Sequence, residues 1–410
     1  MNKTLATLVS GIALLITACG SNIPNDTNSV ATDTTYKPVE TAPPNTNYKP
    51  AFKGQTRIAG VKTSTPYQGK MLTDKLNKPW GIAILPDRRL LITENEGTMR
   101  IATVTGNLGS PITGLPAVNS SGQGGLLGLT IDPSFSDNRM VYWVFSENSP
   151  QGNLTAVAKG KLSADEKTIE NATVIYRATP AHNSNLHYGG RILFDKNGNL
   201  FVSTGERSDI ETRPQAQDLK SALGKIVHIT TDGKPAAGGP FSNDANARPE
   251  IYTYGHRNVQ GLAFHPETGD LWDNEFGPRG GDEVNLIQPG KNYGWPTITY
   301  GLEYSGKKIG GAITQKAGME QPVYYWDPVV SPSGMTFYSS DSIPEWKNNL
   351  FIGALSGNHI VRLVIKDNKV AGEERLLAKE GQRFRDVIQG TDGALYAVTD
   401  EGRLYRIGRK

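Results

Sequence analysis

The chain reads as an all-β protein, a six-bladed β-propeller with an N-terminal signal and a disordered tether ahead of it. Three observations predict this. A strand–turn–strand pattern recurs six times, no long stretch shows convincing helical periodicity, and 46 glycines and 25 prolines among 410 residues supply the turns such a chain needs.

The elements follow in chain order. The opening "MNKTLATLVSGIALLITACGS" has one early lysine, an apolar run from Leu5 to Ile16, then small residues before Cys19. That run is too short to span a bilayer, so residues 1–18 read as an export signal. Ile16-Thr17-Ala18-Cys19 resembles the lipobox of bacterial lipoproteins, which makes Cys19 the expected lipidation site. Cys19 is also the only cysteine, so an internal disulfide and a thiol-based active site are excluded. Residues 19–60 are rich in Thr, Asn and Pro and poor in large apolar groups, so they are expected to form a disordered tether. The protein would then be held at a membrane only through an N-terminal lipid, on the periplasmic side of the outer membrane or at the cell surface.

Residues 61–410 carry the six repeats. They are "WGIAILPDRRLLITENEG" from Trp80, "GLLGLTIDPSFSDNRMVYWVFS" from Gly125 and "GGRILFDKNGNLFVSTGE" from Gly189. "QGLAFHPETGDLWDNEFG" from Gln260, "SGMTFYSSDSIPEWKNNLFIGAL" from Ser333 and "RDVIQGTDGALYAVTDEGRLYRI" from Arg385 complete the set. Each alternates apolar and polar residues with period two around a turn of Asp-Gly, Asn-Gly or Pro-Asp type, which is hairpin chemistry. The intervals leave room for about four strands per copy, and sheets of that size arranged radially make a propeller. A Greek-key sandwich does not predict matching units.

Composition narrows the function. The chain is 37 % apolar and 20 % charged, with a net charge of +3 and no basic block, so nucleic acid is not an expected partner. Propellers gather functional loops around the axis at one end, so the polar residues flanking each repeated strand pair carry the search.

His187 precedes the third repeat and Glu206 ends it. If 192–195 and 199–203 pair, both return to the same rim, where a carboxylate on one imidazole nitrogen leaves the other free to accept a proton. Asp195, Asn197, Asn199 and Glu206 have the spacing of a calcium loop, but Leu200 stands where that loop needs glycine, so "DKNGN" is a turn. Arg257 and Asn258 in "GHRNVQG" suit a carboxylate or quinone oxygen. In "NEFGPRGGDEVNLIQPGKNYGWP", Gly277, Pro278, Gly280 and Gly281 give an irregular backbone followed by Asp282 and Glu283, the carbonyl-and-carboxylate set of a hard cation such as Ca²⁺. Arg383 and Arg385 in "GQRFRDV" project from one strand face and need an anion near them, which an internal acid such as Asp386 or a ligand supplies. Three cations, a histidine and a metal at one rim point to a polyanionic cofactor.

These motifs, with "GQGGLLGLTIDPSF", resemble the soluble, calcium-dependent pyrroloquinoline quinone sugar dehydrogenases, in particular their bacterial aldose sugar dehydrogenase branch, over about residues 70–408. The resemblance implies two cofactors, pyrroloquinoline quinone and Ca²⁺, and the oxidation of aldoses to lactones. By position it implies His187 as base with Glu206 as partner, and quinone contacts from His187, Arg257, Asn258, Arg383 and Arg385. Arg257 would also stabilise charge on the quinone oxygens. It further implies a sugar contact at Gln123, a cofactor calcium on the carbonyls of Gly277 and Pro278, and a structural calcium at Glu283 and the carbonyl of Tyr293. Two positions depart from glucose-oxidising relatives: Ser356 replaces a quinone-binding lysine, and Phe276 a glutamine. A tethered, non-enzymatic sugar- or protein-binding propeller and a calcium-dependent lactonase are the alternatives. The preferred sugar, the oligomeric state and the electron acceptor have no signature, since the chain has no haem-attachment cysteine pair and no flavin fingerprint.

Overall fold

The structure is a computed structural model, described for residues 36–410. Each repeat in it is one antiparallel sheet. Strand β1 spans Tyr67–Thr73, and the first blade follows as β2 (Pro79–Ile84), β3 (Leu90–Glu94) and β4 (Thr98–Ala102). The second blade is β5 (Leu126–Ile131), β6 (Met140–Ser149), β7 (Gly152–Leu162) and β8 (Ile169–Arg177). The third is β9 (Gly189–Phe194), β10 (Leu200–Thr204), β11 (Lys225–Ile229) and β12 (Ile251–Tyr254). The fourth is β13 (Val259–Phe264), β14 (Leu271–Glu275), β15 (Asp282–Ile287) and β16 (Tyr324–Trp326). The fifth is β17 (Pro332–Phe337), β18 (Leu350–Ala354), β19 (His359–Lys366) and β20 (Lys369–Leu376). In the sixth, β21 (Phe384–Gln389), β22 (Leu395–Thr399) and β23 (Leu404–Arg409) are joined by β1, which pairs antiparallel with β23 and closes the ring.

The strands β2, β5, β9, β13, β17 and β21 touch one another in succession around the axis. The glycine early in the repeat lets them approach: a Cβ on Gly334 would lie 1.7 Å from Oδ1 of Asp386. Across that centre Arg191 of β9 donates from Nη1 to Oδ2 of Asp386 at 2.7 Å, and the Ile82 amide donates to the same oxygen at 3.0 Å. Burial pushes the Asp386 carboxyl up from its ordinary value against the opposing pull of Arg191. Between blades the sheets bury Trp143, Trp272, Trp346 and a continuous series of Leu, Ile and Val side chains, the apolar faces that the period-two pattern encodes.

The disordered tether expected over residues 19–60 does not extend over residues 36–60. From residue 36 the chain is seated on the propeller through polar groups, which a count of apolar residues does not register. Asn45 and Thr46 each donate a backbone amide and a side-chain hydrogen to the two oxygens of Asp327, at 2.8–2.9 Å. Gln55 is fully buried and bonds the Pro322 carbonyl, and Glu40 pairs with Arg375 at 2.7 Å. The signal and Cys19 lie outside the described residues. Among the described residues no helix is long and apolar enough to cross a membrane.

Candidate functional site

One end of the axis opens into a cavity of about 500 Å³ whose lining includes Gln123, His187, Arg257, Phe276, Gly277, Pro278, Arg383 and Arg385. Trp80, Asp282 and Asp400 line it as well. Blades far apart in sequence therefore deliver the residues of one site.

His187 precedes β9, and Glu206 follows β10, its hairpin partner; the pairing of Leu200 with Phe194 and Thr204 with Gly189 returns both to the same rim. Nδ1 of His187 lies 2.6 Å from Oε1 of Glu206, and both side chains are buried. His187 lines the cavity, so with Nδ1 engaged its Nε2 is the nitrogen available to a ligand. Burial lowers the His187 pKa to about 4, with Arg257 adding to the fall and Glu206 opposing it. The ring is therefore neutral at pH 7 and competent to accept a proton.

The loop that holds it is built for the purpose. His187 adopts a left-handed backbone, φ 48°, which costs a non-glycine residue on the order of 1–3 kcal/mol. Buried Arg207 supports it, donating to the Leu186 carbonyl at 2.7 Å and to the Ser184 carbonyl and Asn153, with its guanidinium 3.5 Å from the Tyr188 ring centre. Gly205 is required here, since its Cβ would fall 2.1 Å from the His187 carbonyl oxygen. Gln123 accepts the His187 amide at 2.9 Å, so it positions the base as well as lining the cavity.

Arg257 reaches in from the start of the fourth blade. Its Nη1 donates to the carbonyls of Phe276 and Gly277 at 3.0 and 2.8 Å, and its amide donates to Glu275 at 2.6 Å. Asn258 is fully buried behind the cavity and is not among its lining residues; its Oδ1 accepts the Gly189 amide at 2.9 Å, while its Nδ2 has no partner. Arg383 and Arg385 share one anion, but it is Asp400: their Nε atoms each donate to it at 2.8 Å, whereas Asp386 is engaged with Arg191. Ser356 stands at the rim with its hydroxyl 2.8 Å from that of Ser331 and is not a lining residue, while Phe276 is one.

Gly277, Pro278, Glu283 and Tyr293 all border a second void of about 10 Å³ next to the first, enough for one water-sized particle. Gly277 is anchored by its amide to Asp282 at 2.8 Å, and Asp282 also accepts the amides of Val330 and Ser331 at 2.8 and 2.7 Å. Burial raises Asp282 to about 7 despite these donors. Burial and the nearby Glu275 push Glu283 well above the ordinary carboxylate range, the mark of an acid lacking a counter-charge.

The sequence reading missed Trp80 and Asp400. Trp80 opens the first repeat and packs its ring 4.5 Å from the Arg191 guanidinium; its place ahead of a repeated glycine is the one sequence signal it carries. Asp400 sits in the final turn, which reads as ordinary hairpin chemistry.

Comparison with known proteins agrees with this geometry. The family model described as Glucose / Sorbosone dehydrogenase matches residues 76–406. The aldose sugar dehydrogenase YliI of Escherichia coli K12 is 43 % identical over 343 residues, covering 82 % of this chain and 92 % of that protein. The apo-form crystal structure of the soluble E. coli aldose sugar dehydrogenase superposes with a TM-score of 0.80 at 41 % identity, over 84 % of this chain and 100 % of that one. The PQQ-bound aldose sugar dehydrogenase of Streptomyces coelicolor gives a TM-score of 0.70 at 29 % identity, over 85 % and 100 %. The chain, a six-bladed propeller with a buried histidine–glutamate pair in an arginine-lined axial cavity, belongs to the glucose/sorbosone dehydrogenase family.

Proposed function

We propose that this protein oxidises aldose sugars at the anomeric carbon to lactones, with pyrroloquinoline quinone and Ca²⁺ as cofactors and His187 as base. The observation that carries the reading is the buried pair of His187 and Glu206 facing a cavity with Arg257, Arg383 and Arg385 in its wall. Those three guanidiniums suit a flat polyanion. The Gly277 carbonyl borders both the cavity and the small void beside it, and a backbone carbonyl oxygen is a ligand that Ca²⁺ takes.

In this reading Arg257, Arg383 and Arg385 would hold the quinone, and the unpartnered amide of Asn258 would lie behind them. Asp400 keeps the two arginines of the last blade side by side in the meantime. The carbonyls of Gly277 and Pro278 would hold the cofactor calcium, and Glu283 with the Tyr293 carbonyl would hold a structural one. Pyrroloquinoline quinone, when bound, supplies the two-electron acceptor for the hydride leaving the anomeric carbon. His187 does the proton chemistry: Nε2 takes the proton from the anomeric hydroxyl as the C–H and O–H bonds give way to the lactone C=O. Glu206 fixes the ring through Nδ1 and stabilises the imidazolium that results. Gln123 orients the sugar, and Arg257 offsets charge gathering at the acceptor.

The test is dye reduction by the purified protein with a panel of aldoses, with and without the quinone and Ca²⁺. Turnover should require both additions and fall by about 10²–10⁴-fold in His187→Ala. No quinone binding to a folded protein would overturn the reading and leave a recognition propeller. We also propose export and lipidation at Cys19; fatty-acid labelling that survives Cys19→Ser refutes it.

A further inference from the structure

The cavity wall carries a cation that the proposed chemistry does not use. Four guanidiniums line the cavity, those of Arg257, Arg279, Arg383 and Arg385, against the two carboxylates of Asp282 and Asp400. Three of the four are engaged: Arg257 donates to the carbonyls of Phe276 and Gly277, and Arg383 and Arg385 donate to Asp400. Arg279 is exposed, and among the described residues it has no ion pair. Its one side-chain hydrogen bond there runs from Nε to Oδ1 of Asn45, at 3.2 Å.

That bond comes from outside the blades. Asn45 belongs to the segment seated ahead of β1, where its amide and Nδ2 are both fixed on Oδ1 of Asp327 and Thr46 covers Oδ2. Asp327 is 4 % exposed, so the anchor is buried and the carbonyl end of the Asn45 side chain faces Arg279. The backbone of Arg279 is fixed as closely. Its amide donates to the Leu302 carbonyl at 2.9 Å, and its own carbonyl accepts the Leu302 amide at 3.0 Å. Gly280 follows with φ 91°, and a Cβ there would lie 2.9 Å from Oδ1 of Asp327, so glycine is what lets this turn pack against the anchored acid. Asp400 neutralises the arginines it holds, whereas a neutral amide directs Arg279 and leaves its charge in place. Nη1 and Nη2 stay open to a ligand, and such a fork matches the two oxygens of a carboxylate.

We propose that Arg279 is a carboxylate-binding residue at the cavity mouth and that Asn45, from the segment ahead of the propeller, is the residue that positions it. The inference rests on the reading that the cavity takes a quinone and an aldose, and either can bring the carboxylate. Pyrroloquinoline quinone carries carboxylates of its own, and a hexuronic acid is an aldose with one. The excess of guanidinium over carboxylate in the wall favours an anion in both cases.

The experiment uses the full chain and its variants Arg279→Gln and Asn45→Leu, with Tm as the fold control. Calorimetry measures quinone binding with Ca²⁺ and without sugar, and dye reduction compares glucuronate with glucose. If the quinone brings the carboxylate, Arg279→Gln should raise its Kd about tenfold and leave the ratio of kcat/KM for the two sugars unchanged. If the sugar brings it, the quinone Kd stays and kcat/KM for glucuronate falls about tenfold against glucose. Asn45→Leu should lose roughly threefold in the same measurement, with kcat for glucose unchanged. Glu40→Gln loosens the same segment at Arg375 in the fifth blade and should leave that measurement where it is, which separates positioning from seating. The proposal is overturned if Arg279→Gln stays within twofold of wild type in both measurements, and the role of Asn45 falls if Asn45→Leu does no more than Glu40→Gln. A wild type that binds no quinone refutes the catalytic reading instead. Glucuronate and glucose are then titrated by calorimetry without quinone, and Arg279 keeps its role only if Arg279→Gln weakens glucuronate binding alone.

Discussion

Replacing Glu206 by glutamine tests the core of the catalytic argument, because it keeps the shape of the pair and removes its charge. The contact is 2.6 Å long between side chains that are 5 % and 1 % exposed, so water does not screen it. A hydrogen bond to a charged group in such a place contributes about 1.5–3 kcal/mol. At about 1.4 kcal/mol per decade, losing it as the imidazolium forms should lower kcat roughly 10- to 150-fold. The pH profile gives a second reading. With His187 at about 4, its neutral form dominates from pH 8 down to pH 5, so the acid limb of kcat/KM that belongs to the base should fall near pH 4, apart from any limb near pH 7 that belongs to Asp282 in the cavity wall. Glu206 is a force raising that pKa, so Glu206→Gln should move the acid limb to still lower pH. The assay is dye reduction with a saturating aldose, quinone and Ca²⁺ from pH 4 to 8, with Tm as a fold control. A variant within twofold of wild type, or a limb near pH 4 that Glu206→Gln leaves in place, would refute the assigned roles.

Other outcomes follow from the packing. Arg191→Met strands Asp386 at the axis and should cost about 3–5 kcal/mol in denaturant unfolding, whereas the double variant Arg191→Met, Asp386→Leu should recover part of it; a double loss equal to the sum of the two single losses would show that the pair is not coupled. Asp327→Ala removes the acceptor of four hydrogen bonds from Asn45 and Thr46, so it should cost about 3 kcal/mol and open residues 36–57 to protease; an unchanged digestion pattern contradicts the seating described above. His359 is buried with its pKa lowered by burial from 6.5 to about 4, so the stability it lends is complete above pH 6.5 and drains away as pH falls toward 4. Relative to its value at pH 7, His359→Leu should therefore gain on wild type by about 3 kcal/mol at pH 4, and parallel Tm curves would contradict this.

The fold was legible because its signal is repeated. Period-two alternation and turn chemistry are local, and six copies fix the blade number before any contact is known. The site was legible where a side chain stands beside a repeated strand: His187, Arg257, Arg383 and Arg385 fall at blade ends and the structure brings them to one cavity, with Glu206 behind His187. Reading stopped where partners are set by the ring and not by the chain. Asp386 and Asp400 are fourteen residues apart in one blade, and nothing local says that the first crosses the axis to Arg191 while the second neutralises the arginine pair. Residues 36–60 were misjudged for a different reason: they dock through Asn45, Thr46 and Gln55, and the composition of a disordered segment and of a polar strap is the same.

The pairing of β1 with β23 sets an order of events. The strand made first waits for the strand made last, because Tyr67 meets Arg409 only when the whole chain is available. Until then the sixth blade lacks its outer strand and two open sheet edges are exposed, a state prone to joining other chains. So long-range a closure predicts slow folding, with ring completion as the late step. It also means that the first and last strands of the propeller lie side by side on one sheet. A propeller begun at Tyr67, with Arg409 joined to it by a short linker and the chain cut between two other blades, would move the seam elsewhere and leave the axial cavity intact.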